Sequence, residues 1–414
     1  MDRGRERLLL FTLAAINFVH IMDFVIMMPL APMLMKTLGM KPAQFGMVVS
    51  AYTYSAFVSS LLAAPLMDRF DRKKVLLWLF IGFTLGTFAC ALSDSFWTLL
   101  VARAVTGLFG GIMGANIFSI IGDVIPFERR SAAMGLVMGA FSLASALGVP
   151  FGLYLAASIN WEAPFFLLGG ASILVLGFIW FFVPVLRGHL GKTPSESLPD
   201  VIVNISREPD QKRALALMGM LVMGQFTIIP MLSTYMVFNV GFTEHQLTWI
   251  YLLGGSVTFF TSPYFGRLAD RHGNQRVFMV MAIVALVPIL LITNLPKVPV
   301  YVALIPTTLF FIAIGGRMVP AMGMITATVS PQRRGSFMSI NTSVMQLFSG
   351  TAALISGLIV MEQPKGHLIH YSYVGFIAVA ASIACLFLAK RIQAGAKKEV
   401  VSSEEPIAET ATST

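Results

Sequence analysis

Long apolar stretches separated by short polar segments follow one another along the whole chain of 414 residues. Each stretch is close to the roughly 20 apolar residues that an α-helix needs to cross a bilayer. We interpret these stretches as twelve transmembrane spans in two sets of six. The first set covers residues 8–34, 45–67, 75–92, 97–124, 132–156 and 164–185. The second set covers residues 214–240, 247–265, 277–293, 300–329, 336–361 and 371–389.

The polar segments between the two sets define the predicted domain organisation. Residues 1–186 form an N-terminal six-helix bundle and residues 214–392 form a C-terminal one. The segment 187–213 is a cytoplasmic linker with a short amphipathic piece around residues 201–205. The polar tail, residues 393–414, has the composition of a disordered cytoplasmic segment. The expected fold class is an all-α polytopic membrane protein with twelve transmembrane helices.

Composition and charge agree with a membrane location. Charged residues are 12% of the chain, about half the share in soluble domains, and the mean hydropathy is +0.79. Of the 29 lysines and arginines, 23 fall on segments that would share one side, and 4 fall on the other side. This bias predicts that both termini are cytoplasmic in a multi-pass protein of the cell (inner) membrane. It also accounts for the net charge of +9 without a nucleic-acid partner.

The two sets of spans resemble each other. Asp68 and Arg69 follow the second span, and Asp270 and Arg271 follow the eighth, 202 residues later. In the same way Asp23 and Pro29 of the first span correspond to Gln225 and Pro230 of the seventh. Parallel repeats around a site near the bilayer midplane are one way in which secondary transporters are built.

The segments after spans 2 and 8 resemble the loop motif of the major facilitator superfamily. In that motif a glycine is followed by an acidic-basic pair, a second glycine and two basic residues. The second half matches it with Gly266, Asp270, Arg271 and Gly273. The first half keeps Asp68, Arg69, Arg72 and Lys73, but it has Ala64 and Asp71 at the two glycine positions.

Spans 4 and 5 resemble further motifs of the same superfamily, in its twelve-helix drug:proton antiporter branch. Span 4 carries Leu99, Arg103 and Gly107, and span 5 carries Gly148, Pro150 and Gly152 with Val149 inserted, as in sugar- and drug-efflux relatives. The resemblance covers essentially the whole chain. It implies alternating access, with spans 1, 4, 7 and 10 lining a central cavity. It also implies gating residues at the inner ends of the spans, which are Asp68, Arg69, Arg72, Asp123, Asp270, Arg271 and Gly273. Of these, we expect Arg72 to pair with Asp123 when the inner side is closed.

Charged and polar side chains inside spans are the candidates for function. Asp23 lies within an apolar run, where a charge costs about 2.5–3.5 kcal/mol on insertion scales. Helical spacing puts Asn17, His20 and Asp23 on one face. We predict that Asp23, His20 and Arg103 couple protons, and Arg103 and Arg317 are the possible charge partners of Asp23. The alternative roles are a structural polar anchor for Asp23, a hydrogen-bonded packing residue for His20, and a structural partner of Asp23 or of backbone carbonyls for Arg103. The predicted cavity residues are Asn17, Asp23, Asn116, Gln225, Arg317, Asn341 and Gln346.

The favoured function is proton-coupled efflux of a small amphipathic organic compound. Uptake or facilitated passage of a sugar-like solute is the alternative within transport, and a membrane sensor without transport is an alternative of another class. We find no H-E-x-x-H or G-x-S-x-G motif and no paired catalytic carboxylates, so we expect neither an enzyme nor a cofactor or metal. The expected partners are the substrate, protons and the lipid bilayer, and the protein is expected to be monomeric.

Overall fold

The computed structural model describes residues 3–67, 70–187, 198–330, 333–364 and 366–392. Within them the chain is helical apart from loops and a small hairpin, in which Met361–Glu362 pairs antiparallel with Leu368–Ile369. Ten helical segments are long and apolar enough to cross a membrane. The helices Pro42–Met67 and Glu244–His272 have 26 and 29 residues, which also suffices at 1.5 Å per residue. The predicted all-α polytopic fold is confirmed.

The helices of the first half correspond one by one to the six predicted spans. Span 1 is Arg3–Ile26 with Ala31–Thr37, span 2 is Pro42–Met67, span 3 is Arg72–Ala91, and span 4 is Phe96–Val124. Span 5 is Phe127–Leu143, a π-helical turn at Ala144–Gly148, and Val149–Ser158, and span 6 is Ala163–Phe182.

The second half repeats this order after a linker helix, Leu198–Arg207. Span 7 is Pro209–Phe226, Ile229–Tyr235 and the π-helical Met236–Val240, and span 8 is Glu244–His272. Span 9 is Asn274–Val284 with Leu286–Thr293, span 10 is Val300–Thr326, span 11 is Arg334–Ile359, and span 12 is Tyr371–Arg391. We call the side where the chain starts the N-terminal face and the other side the opposite face.

The linker helix contains the amphipathic piece that the sequence predicts. Val201 and Ile205 are buried, whereas Ile202 and Val203 are exposed. The helix packs against spans 2, 7 and 11, so it contacts both halves at the N-terminal face. The first helix of span 7 begins at Pro209, so it includes the last five residues of the predicted linker. Residues 188–197 of that linker and the predicted tail, 393–414, lie outside the described residues.

Spans 1 and 7 are broken at equivalent positions, where the sequence analysis expected continuous spans. The first helix of span 1 ends at Ile26, and the first helix of span 7 ends at Phe226. Pro29 and Pro230 follow these ends, and proline interrupts a helix because it lacks the N–H donor and its ring clashes with the preceding turn. The breaks leave Asp23 and Gln225 near the end of the longer helical piece in each half.

The two halves contact each other through small residues. Span 2 crosses span 11, where a methyl group added to Gly46 would lie 2.7 Å from the Ala353 carbonyl oxygen and 3.1 Å from Gly357 Cα. Span 8 crosses span 5, where one added to Gly255 would lie 2.4 Å from the Ser145 carbonyl oxygen. Such small residues let helix backbones approach closely within a membrane.

The contacts between spans 2 and 11 begin at the opposite face and continue inward. The Ser50 hydroxyl donates to the Gly350 carbonyl at 2.7 Å, and the Ser60 and Ser343 hydroxyls lie 2.9 Å apart. At the opposite face the Lys36 Nζ lies 3.1 Å from the Glu244 carboxylate, which joins spans 1 and 8. The two halves are therefore held together from the opposite face to well past the middle of span 2.

Candidate functional site

A buried ion pair joins spans 1 and 4. Arg103 Nη1 donates to Asp23 Oδ2 at 2.7 Å and to the Asp23 carbonyl oxygen at 3.4 Å, and both side chains are buried. The Thr87 hydroxyl of span 3 donates to the other carboxylate oxygen at 3.1 Å. Arg103 lies seven residues from the start of span 4, about 10 Å along the helix from its end at the opposite face. The sequence analysis left Arg103 and Arg317 as possible partners of Asp23, and the structure pairs it with Arg103.

Tyr52 of span 2 connects this ion pair to His20. The Arg103 guanidinium carbon lies 4.4 Å from the centre of the Tyr52 ring, a cation–π contact. The Tyr52 hydroxyl lies 3.0 Å from His20 Nε2, and the His20 ring packs against the Phe83 ring. The three residues predicted to couple protons thus form one cluster, with Tyr52 between two of them. Sequence reasoning missed Tyr52, because a tyrosine in an apolar span is more often a packing residue.

Glycines of span 4 let span 2 come this close. A methyl group at Gly107 would lie 2.2 Å from the Tyr52 carbonyl oxygen, and one at Gly110 would lie 2.6 Å from the Tyr52 hydroxyl. The spacing of Arg103 and Gly107 puts them one turn apart on one face of span 4. The glycines therefore position the tyrosine over the guanidinium, which gives the predicted motif of span 4 a structural reason.

The chemistry of the cluster centres on one carboxylate with one cation. A salt-bridged carboxylate accepts hydrogen bonds only, and protonation would remove its charge and free the guanidinium. The Arg103 Nε atom is buried and has no hydrogen-bond partner among the described residues. A change of charge on Asp23 would therefore leave a buried cation with a strong demand for another partner.

Span 7 contacts this region across the interface between the halves. Phe24 follows Asp23, Phe226 follows Gln225, and the two rings stack with centroids 6.0 Å apart. Phe24 also packs against the Tyr52 ring at 5.2 Å. Phe24 and Phe226, which occupy equivalent positions in the two repeats, therefore meet at the interface between the halves, next in sequence to Asp23 and Gln225.

The other predicted cavity residues are distributed over the molecule. Asn17 donates to the Val137 carbonyl at 2.9 Å, and Asn116 donates to the Arg72 carbonyl at 3.3 Å. Asn116 therefore lies beside the start of span 3, away from Asp23. The remaining four belong to the second half, where Gln225, Arg317 and Asn341 are buried and Gln346 is half-buried.

The predicted gating pair is present within the first half. Arg72, the first helical residue of span 3, donates from Nε to Asp123 Oδ2 at 2.5 Å near the end of span 4. The prediction ties this pair to closure at the N-terminal face. In this structure the Arg72–Asp123 pair coexists with halves that are in contact from the opposite face. The pair therefore does not require the two halves to separate at that face. Asp68 and Arg69 lie outside the described residues.

The turn geometry explains the unusual Asp71 at a glycine position of the loop motif. In the second half Gly273 alone separates spans 8 and 9 and adopts φ of +87°, which favours glycine. In the first half Asp71 has φ of −57° and caps span 3 by accepting from the Lys73 N–H at 2.9 Å. Asp270 and Arg271, the acidic-basic pair before Gly273, are exposed at the end of span 8.

Asp71 also joins the loop to the end of the first half. It accepts from the Leu186 N–H at 3.4 Å and from Arg187 Nε at 3.2 Å. Burial raises the pKa of the Asp71 carboxyl, but the backbone hydrogen bonds from Leu186 and Lys73 and the bond from Arg187 together hold it below its ordinary value. The carboxylate is therefore charged at neutral pH and fixes the chain as it leaves span 6.

The predicted motif of span 5 packs against span 1. A methyl group at Gly148 would lie 2.8 Å from Met22 Sδ, and one at Gly152 would lie 2.8 Å from Met22 Cε. Pro150 follows the π-helical turn at Ala144–Gly148, and such turns often occur where proline disturbs the helical hydrogen bonds. Span 5 therefore packs closely against Met22, the residue that precedes Asp23 on span 1.

Known proteins resemble this chain along nearly its whole length. A model of the Major Facilitator Superfamily matches residues 13–209 and 214–412. The chain is 26% identical over 392 residues to a probable sugar efflux transporter of Helicobacter pylori, which covers 95% of this chain and 96% of that relative. It is 25% identical over 358 residues to YceJ, an uncharacterized MFS-type transporter of Bacillus subtilis, which covers 83% of this chain and 87% of the relative.

Solved structures share the fold. A bacterial homolog of the human lysosomal transporter Spinster, in an inward-facing and unoccupied conformation, has a TM-score of 0.73 over 95% of each chain, at 15% identity. The nucleoside transporter NupG has a TM-score of 0.73 over 93% of this chain and 99% of its own, at 14% identity. At such identities the likeness shows the fold alone. Since the family model matches both halves, this chain is a multi-pass membrane transporter that belongs to the Major Facilitator Superfamily.

Proposed function

We propose that the protein exports a small organic compound in exchange for protons, by alternating access of one central site to the two faces. The observation that carries the proposal is the buried Asp23–Arg103 pair. Three other described acids, Asp71, Asp123 and Glu244, lie at or next to the ends of spans. Asp23 is thus the carboxylate best placed to exchange a proton with either face in turn.

The proposed coupling uses two opposing effects on Asp23. The Arg103 cation favours the charged carboxylate, whereas removal of water from a closed site favours the protonated acid. Tyr52 and His20 give a short hydrogen-bonded route beside the pair. When the halves rock, the hydration of Asp23 changes, and the balance between the two forms changes with it. A proton bound from one face is then released to the other.

The proposed orientation places the N-terminal face in the cytoplasm of a cell membrane. The bias of 23 basic residues against 4 supports it through the positive-inside rule. In that orientation the structure corresponds to a state whose halves meet on the outer side. We also propose that the protein is a monomer without enzymatic activity, with a central linker at 187–213.

The substrate class has two candidates. The relatives named as probable sugar efflux transporters favour a sugar-like compound. The aromatic surface of Phe24, Tyr52 and Phe226 beside a carboxylate favours an amphipathic compound. Both fit proton-driven export, so the first transport assay includes both classes. A proton symporter would instead accumulate its solute on the side of lower proton concentration, because the solute moves with the protons, whereas an antiporter accumulates it on the side of higher proton concentration.

The deciding experiment compares Asp23→Asn with wild type in proteoliposomes under an imposed pH gradient. We expect wild type to move at least one compound of a panel of neutral sugars, sugar acids, amphipathic amines and amphipathic acids against its concentration gradient. Asp23→Asn is expected to remain folded and to lose acceleration by the gradient. Asp94→Asn, at an exposed position before span 4, is the matched control and should keep it. Full gradient-driven transport by Asp23→Asn would refute the proposal.

A further inference from the structure

Arg317 is a buried cation in span 10 whose charge is not balanced by a described carboxylate. Its Nε donates to the Ala313 carbonyl at 3.3 Å, and its Nη1 donates to the Ser382 hydroxyl of span 12 at 3.0 Å. Its Nη2 is buried without a hydrogen-bond partner among the described residues. The side chain is 1% exposed. No described acidic side chain lies within 4.0 Å of it.

The buried arginine of the first half has an acidic partner, which Arg317 lacks among the described residues. Arg103 is equally buried, and Asp23 of span 1 neutralises it. The position of the second half that corresponds to Asp23 in the repeat is Gln225, which carries no charge. A guanidinium deep in a membrane protein costs several kcal/mol of free energy unless an anion or many dipoles compensate it. In this half two neutral oxygens are the described partners.

Spans 7 and 10, which pack against each other, each carry a buried side-chain nitrogen without a hydrogen-bond partner among the described residues. Spans 7, 10 and 12 meet in the region of Arg317, since a methyl group at Gly224 would lie 3.7 Å from the Ser382 hydroxyl that binds this residue. Gln225, the next residue, has a buried amide nitrogen without a described partner. Carboxylate and phosphate groups are strong acceptors that match a guanidinium. Such a region is suited to accept an anionic group.

Span 7, which packs against span 10, also contacts the first half. Phe226, which follows Gln225, stacks on Phe24 of the first half. Span 7 therefore connects the region of Arg317 with the contact surface that alternating access would open. Lipid is an unsuitable source of the anion, because Arg317 lies within the second half at 1% exposure.

We propose that Arg317 binds an anionic group, a carboxylate or a phosphate, carried by the transported compound. The inference rests on the proposed transport function, and it narrows the substrate class to acidic solutes. A sugar acid would satisfy it, and a neutral sugar would not. The role of Arg317 is independent of Asp23, which lies in the other half.

The test measures the melting temperature of the full purified chain in detergent, at fixed ionic strength. The probes are sodium sulfate, D-glucuronate and D-glucose, of which the last two differ by a carboxylate in place of a hydroxymethyl group. In wild type we expect sulfate and glucuronate, but not glucose, to raise the melting temperature. In Arg317→Gln we expect both increases to disappear. An increase with sulfate alone would mean an adventitious inorganic anion site and would overturn the assignment to substrate.

Two variants of Ser382 keep the test informative if Arg317→Gln does not fold. Ser382→Asp places a carboxylate beside the guanidinium, so it should raise the basal melting temperature and remove the response to both anions. Ser382→Asn is its neutral match and should keep the response. Equal responses of these two variants would overturn the proposal. Because Asp23→Asn should keep the anion response, failure of proton coupling and failure of the anion site give different results.

Discussion

Adding one methyl group at Gly46 tests whether the contact between spans 2 and 11 controls the balance of conformations. In Gly46→Ala the new carbon would lie 2.7 Å from the Ala353 carbonyl oxygen, 3.1 Å from Gly357 Cα and 3.4 Å from the Gly357 nitrogen. All three atoms belong to the backbone, so no side chain can rotate away. The two helices must move apart for the variant to fit.

The magnitude follows from overpacking. An extra methylene in a packed interior costs about 1–3 kcal/mol. This cost applies to the conformation in which spans 2 and 11 touch. It is absent from the conformation in which they separate at the opposite face. At about 1.4 kcal/mol for each tenfold change, the ratio of the two conformations should shift by roughly 5- to 140-fold. The higher helix propensity of alanine affects both conformations equally, so it cancels in this ratio.

The assay is a distance measurement by pulsed electron paramagnetic resonance. Spin labels at Asn160→Cys and Asn294→Cys report on exposed positions at the opposite face, one in each half. The two native cysteines are buried. We expect Gly46→Ala to add a population at longer distance. Gly170→Ala is the matched control, because no heavy atom lies within 4 Å of its added carbon. An unchanged distribution in a folded Gly46→Ala protein would refute the reasoning.

Three further variants test the buried ion pair and the cap of span 3. Asp23→Asn leaves a buried cation and should destabilise the protein by about 3–5 kcal/mol, whereas adding Arg103→Gln should recover part of this loss, as measured by denaturant unfolding. If the double variant is less stable than Asp23→Asn alone, the pairing argument fails. Asp71→Ala removes the cap of span 3 and should cost about 1 kcal/mol at neutral pH. Because the pKa of Asp71 is lowered in the folded protein, its contribution is full above about pH 4 and is lost as pH falls through the folded value. A difference between wild type and Asp71→Ala that grows on acidification would contradict this.

Sequence alone determined the membrane fold and the position of Asp23 as a functional candidate. Spans are readable because a bilayer requires each helix to satisfy its own backbone and to present an apolar surface of sufficient length. A single acid in such a run stands out for the same reason. The free-energy cost of placing its charge in the bilayer can be stated before its partner is known. The repeat at 202 residues is equally a property of the chain itself.

The partners of these residues were decided by tertiary packing. Arg103 rather than Arg317 pairs with Asp23. Tyr52 and Thr87 complete the cluster, because glycines of span 4 admit span 2 and because span 3 packs against span 4. Asp71 at a glycine position is explained by a backbone angle that no residue pattern reveals. Pairing depends on which faces of distant helices meet. Hydropathy indicates how deep a residue lies in the membrane, whereas packing determines in which direction around the helix axis its side chain points.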